Sequence, residues 1–137
     1  MPAIPAHGKA MPVASSEDIA RAICSDKYDR VTGELSASLF KGERTSVSRL
    51  AVCPLEDTWD LFRQRVEKPP ERTLERIGVI NVGRLAEVGN SYEPKPTTLT
   101  VEPVPLDGYP SHAEIPQNIS RGLAFEIIRH LQLQQER

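Results

Sequence analysis

The chain has 137 residues, enough for one domain that buries roughly two-thirds of its unfolded surface without a metal or disulfide staple. Hydrophobic residues make up 39% and charged residues 26%, the balance of a soluble globular protein and not of a disordered one. Lys and Arg number 17 against 19 Asp and Glu, a net charge of -2, which excludes a global attraction to nucleic acid or acidic lipid; no apolar run reaches the roughly 20 residues that a bilayer demands.

Residues 1–14 form a Pro/Ala stretch without periodic apolar residues, and a disordered tail is expected there. The stretch has no apolar h-region and is broken by Pro2, Pro5 and Pro12, so no secretory signal is expected and the chain reads as cytoplasmic. Ser16 is suited to cap a helix opened by Glu17 and Asp18, with Ile19, Ala22 and Ile23 along one side. Asp29 and Gly33 mark a turn. Residues 35–40 and 45–50 read as two short strand-like segments around a polar turn at Lys41-Gly42-Glu43, a hairpin or a loop. In the second, Val47 and Arg49 share one face, and Ser46, Ser48 and Leu50 the other. Residues 54–66 make the clearest helix of the first half. Pro54 opens it, Leu55, Trp59, Phe62 and Val66 recur at helical spacing, and Pro69-Pro70 stops it.

Residues 72–76 are expected to add a turn, and the β-branched run 77–82 to form a buried strand. Gly83 and Gly89 bound a short helical turn. Residues 99–104 alternate as a strand, with Pro103 at its end or edge. Residues 105–116, dense in Pro, Gly and Asp, read as a loop able to carry a site. Asn118 or Ser120 then caps a last helix with Leu123, Ala124, Ile127, Ile128 and Leu131 as its apolar stripe, fraying over 132–137. Short strands and separate helices without regular alternation favour an α+β fold: a single domain over 15–137, with mostly antiparallel strands and about three helices.

Three strings bear on chemistry. The first is Pro110-Ser111-His112-Ala113-Glu114-Ile115. His-Ala-Glu opens the zinc deaminase site, but that site needs a later Pro-Cys-x-x-Cys, and no cysteine follows His112. Cys24 and Cys53 are too few and too far apart for a zinc knuckle or a CxxC redox pair, so neither a metal nor a cofactor is expected. They read instead as small buried hydrophobes in a reducing compartment. His112 is either a structural histidine bonded to loop backbone or a general acid/base; if its segment is extended, His112 and Glu114 point to one face.

The second string runs from Ser36 to Arg49, with hydroxyls at Ser36, Ser38, Thr45, Ser46 and Ser48 and cations at Lys41, Arg44 and Arg49. Arg forks and hydroxyls suit a phosphate or carboxylate, although no Walker pattern is present. The third, Arg63, Arg65, Lys68, Arg72 and Arg76, interleaves with Glu67, Glu71 and Glu75. Mixed signs at this spacing read as a solvated surface, and nucleic acid is not an expected partner.

The order of these strings resembles that of a group of small bacterial proteins of uncharacterised activity. Its outline is a Gly, a Ser-rich stretch ending in Phe, a Ser-Val near a basic residue, and a Pro-x-His-Ala-x-Ile loop before the last helix. Gly33, Leu35, Ser38, Phe40, Ser46, Val47, Arg49, Pro110, His112, Ala113 and Ile115 carry the resemblance. It implies no activity. It does imply that Ser46, Arg49 and His112 belong to one constellation; Glu114 joins the candidate binding residues through its shared face with His112. The expected function is a protein-interaction or ligand-binding module working with a partner protein in a multi-component bacterial system. The alternative is a small enzyme on a phosphate-containing substrate, with His112 as acid/base and Arg49 as anion clamp. The oligomeric state is left open.

Overall fold

The computed structural model describes residues 11–93 and 95–136. Six strands among them make one antiparallel sheet in the order β4-β5-β2-β1-β3-β6. The strands are β1 (Asp18–Cys24), β2 (Thr45–Arg49), β3 (Leu74–Asn81), β4 (Glu102–Pro103), β5 (His112–Ile115) and β6 (Gln132–Gln134). The helices are α1 (Leu55–Val66), α2 (Val82–Asn90) and α3 (Arg121–Arg129). The fold is therefore α+β. None of the described helices is long and apolar enough to cross a membrane.

The sheet has a core on each face. On one, Ile19, Ile23, Val47, Ile80, Ala113 and Ile115 meet Leu85 and Val88 of α2 and Leu123 and Ile127 of α3. On the other, Ala20, Ile77 and Val79 meet Trp59 and Phe62 of α1, together with Tyr109. Each helix begins where its sequence supplies a start. Pro54 precedes α1, whose first turn carries Glu56 and Asp57 and whose last carries Arg63 and Arg65, the order the helix dipole favours. Asn81 Oδ1 accepts from Arg84 N at the head of α2, and Ser120 Oγ from Leu123 N at the head of α3.

Several elements differ from the sequence reading. Residues 18–24 are the central strand β1, not a helix capped by Ser16. A central strand covered on both faces is apolar on both, and over so short a run that pattern also satisfies a helical period. Residues 35–40 do not form a hairpin with β2. Ser36 Oγ instead accepts from Ser38 N and starts a 3-10 turn over Ala37–Leu39, a local bond that competes with strand pairing. The expected turn at 72–76 gives way to the start of β3. The strand expected over 99–104 contracts to Glu102–Pro103 at the sheet edge, where a proline costs no ladder bond. The second half of the 105–116 loop is β5, inserted between β4 and β2. Residues 132–134 do not fray but pair with β3.

The N-terminal expectation is also corrected in part. Arg49 donates to the carbonyls of Met11 and Pro12, and Val13 packs on the larger core, so residues 11–14 are tied to the domain. Residues 1–10 lie outside the described residues.

Candidate functional site

The β2–β5 register aligns Ser46 with Glu114 and Ser48 with His112. Alternation then puts all four side chains on one face of the sheet. His112 Nδ1 lies 2.8 Å from the Val104 carbonyl oxygen, which can only accept, so Nδ1 carries the proton. Nε2 is left as acceptor for the Ser46 hydroxyl at 3.1 Å. The ring meets Tyr109 edge-on, with centroids 5.0 Å apart. Glu114 pairs with Arg44 at 3.2 Å.

Arg49 does not join this group. It lies one residue beyond Ser48, opposite Ile19, and so points to the other face. There its Nε donates to Glu17 Oε1 at 3.0 Å and its Nη2 to Oε2 at 2.8 Å. The guanidinium holds the Glu17 carboxyl below its ordinary pKa. The structure thus brings Ser46, His112 and Glu114 together and separates Arg49 from them. The expected convergence of Ser46, Arg49 and His112 on one pocket is corrected by that geometry: Arg49 is not placed to act as anion clamp beside His112.

The Ser46–His112 pair has the reach of a nucleophile and its base. Glu114, opposite Ser46 in the ladder, is an acceptor already paired with Arg44 and supplies no oxyanion donor. Both ring nitrogens of His112 are already engaged, and its side chain ties the 104 loop to β2.

The backbone of Ser46 leads to a different site. β1 and β2 pair only at Ile19–Arg49 and Ala20–Ser48, and beyond that point they part. Arg21 fills the gap: Nε donates to the Leu39 carbonyl and Nη1 to the Ser46 carbonyl, both at 2.9 Å. Arg21 lines a cavity of about 210 Å³ together with Arg65, Arg72, Lys27 and Asp26, with Ala22, Leu39, Val66 and Cys24 as its other lining residues. Arg65 Nη2 donates to the Asp107 carbonyl at 2.6 Å, and its guanidinium lies 5.3 Å from the Tyr109 ring centre. Arg72 Nε donates to the Val66 carbonyl at 2.6 Å.

Backbone carbonyls therefore orient three guanidinium groups without cancelling their charge. Among the described residues, no carboxylate oxygen lies within 4.0 Å of a charged nitrogen of Arg21, Lys27, Arg65 or Arg72. Burial pushes the Arg21 guanidinium below its usual pKa and the Tyr109 hydroxyl above its own. No group of three His, Cys, Asp or Glu among the described residues could hold a metal ion.

Cys24 lines the same cavity, and burial pushes its thiol up to about 11. Cys53 is more accessible. Iodoacetamide at pH 8 should therefore label Cys53 first and Cys24 far more slowly, because little of the Cys24 thiol is ionised. Intact-mass measurement checks this; rapid double labelling of the native protein would contradict the burial of Cys24.

Sequence reasoning missed this cavity. Arg65 and Arg72 read there as solvated, and Arg21 lay within a segment read as a helix. The available signal was Arg21 itself, the single cation in the otherwise apolar run 19–24, since a cation inside a buried strand needs something to answer its charge. A second concavity, about 690 Å³, is an apolar groove lined by Leu35, Phe125, Ile128, Leu131 and Leu133. No protein-family model, curated protein or solved structure matches the chain.

Proposed function

We propose that this chain is a ligand-binding module that takes up an anion in the Arg21 cavity. The observation that carries the reading is that Arg21, Arg65 and Arg72 line one cavity, each held by a backbone carbonyl and none within 4.0 Å of a carboxylate among the described residues. The partly desolvated Arg21 guanidinium is costly without a counter-charge, and an oxyanion offers the acceptor geometry its free N–H groups require. The arginines are already oriented, so binding orders few side chains.

Titration with inorganic phosphate, followed by amide NMR shifts, tests the reading. Shifts should concentrate on Arg21, Lys27 and the 65–72 segment, with millimolar affinity that weakens as salt rises. Arg72→Gln should abolish them while the rest of the spectrum stays folded. Shifts confined to other surfaces, or unaffected by Arg72→Gln, would overturn the reading.

A second reading, docking of a partner protein, is favoured by the apolar groove, where Phe125 is 39% and Leu133 is 43% exposed. A photo-crosslinker at position 133 should then trap one discrete partner in cells, and one at position 87 none.

A further inference from the structure

We infer that the anion is a phosphate monoester with one short apolar or aromatic arm, its phosphoryl group among Arg21, Arg65 and Arg72 and its arm against the half-buried Ala22 and Val66. This rests on the anion-binding reading above and narrows it to one ligand class.

Charge comes first. Arg21, Arg65, Arg72 and Lys27 line the cavity against one acid, Asp26. A carboxylate brings one negative charge and two oxygens. A phosphate monoester brings between roughly 1.5 and 2 charges near neutral pH and three terminal oxygens. It can accept from three separate guanidinium groups at once, each of which keeps free N–H donors after its bond to a backbone carbonyl.

Size comes second. A cavity of about 210 Å³ is smaller than the roughly 300–1,000 Å³ of sites for drug-sized ligands. It has room for a phosphoryl group and a short arm, not for a nucleotide.

The walls come third. Ala22, Leu39 and Val66 belong to the lining, and Leu39 and Val66 also pack into the two cores. A bare phosphate would leave the half-buried Ala22 and Val66 surfaces wet, whereas an arm of a few carbon atoms covers them. Asp26 adds a constraint from the same lining, because it repels a second acidic group. The ligand therefore ends in one acid, and its other end is neutral.

This makes an affinity order that charge alone does not. Simple attraction to a basic cavity ranks pyrophosphate above phosphate and phosphate level with phenyl phosphate. The inferred site ranks phenyl phosphate roughly tenfold above inorganic phosphate, with pyrophosphate no tighter than phosphate. Benzoate, which has the ring without the dianion, should be weaker than phenyl phosphate.

The experiment is a calorimetric titration of the full chain with phenyl phosphate, inorganic phosphate, pyrophosphate and benzoate at one ionic strength. Arg21→Met removes two bonds that hold the gap between β1 and β2 and could unfold the chain, so Arg72→Gln and Val66→Thr are the working variants. Arg72→Gln should weaken every phosphate ligand, and Val66→Thr phenyl phosphate alone. A phenyl phosphate no tighter than phosphate, a tightest-binding pyrophosphate, or a Val66→Thr variant that weakens all ligands equally would overturn the monoester inference and leave the anion site standing. Absence of inorganic phosphate binding at the cavity would overturn both. The monoester can come from a free small molecule or a phosphorylated side chain. A short phosphotyrosine peptide that binds as tightly as phenyl phosphate assigns the second source, and weaker binding assigns the first; either supports the inference.

Discussion

Trp59→Ala is expected to lower the unfolding free energy by about 3–5 kcal/mol. Trp59 is 7% exposed and sits between α1 and the face of the sheet formed by Ala20, Ile77 and Val79. That second core is small. Phe62 and Tyr109 are its only other buried aromatic side chains among the described residues, and no other element of comparable length covers the face. Truncation removes most of the indole's buried area and leaves a cavity that a short strand pair closes poorly. Urea denaturation followed by far-UV circular dichroism measures the loss, since the variant has no tryptophan to report by fluorescence. A loss under about 1 kcal/mol would place Trp59 among residues without a packing role.

Arg49→Met is expected to cost about 3–5 kcal/mol, the scale for breaking a buried ion pair from one side. Its side chain is 6% exposed and that of Glu17 12%. Without the guanidinium, the Glu17 carboxylate and the Met11 and Pro12 carbonyls lose their donor together. Ligand binding at the Arg21 cavity should survive in the folded fraction, which separates this structural role from the anion-clamp role expected of Arg49 on sequence grounds.

The same pair makes stability depend on pH. The Glu17 pKa lies below its ordinary 4.5 in the folded chain, chiefly through its hydrogen bond to Arg49. Glu75 is lowered in the same way by Arg30. A depressed carboxyl adds stability that is fully present above the unfolded pKa and is lost as pH falls through the folded one. Wild-type stability should therefore drop as pH falls below 4.5, and Glu17→Gln should flatten that drop. Melting temperatures across this range check it; an unchanged slope in Glu17→Gln would remove Glu17 from the account.

Some features were determined by the sequence itself, because their causes are local. Pro54, the stripe Leu55–Trp59–Phe62–Val66 and Pro69-Pro70 specify α1 through side-chain spacing and backbone chemistry that need no distant partner. Ser120 marks the start of α3 for the same reason, and the alternation of Ser46, Val47, Ser48 and Arg49 already separated the serines from Arg49 onto two faces. The α+β class followed from the mixture of such elements.

Other features were decided only by tertiary structure. Residues 18–24 satisfy both a helical and a two-sided strand pattern, and only the flanking β2 and β3 select the strand. His112 Ala113 Glu114 Ile115 became β5 because β2 and β4 offered ladder partners on both sides, and 132–134 became β6 because β3 offered an open edge. The Arg21 cavity is the furthest from the sequence. Arg21, Lys27, Arg65 and Arg72 come from β1, the turn after it, α1 and the segment before β3, and charges so far apart in the chain acquire a common field only when the strands that carry them are packed.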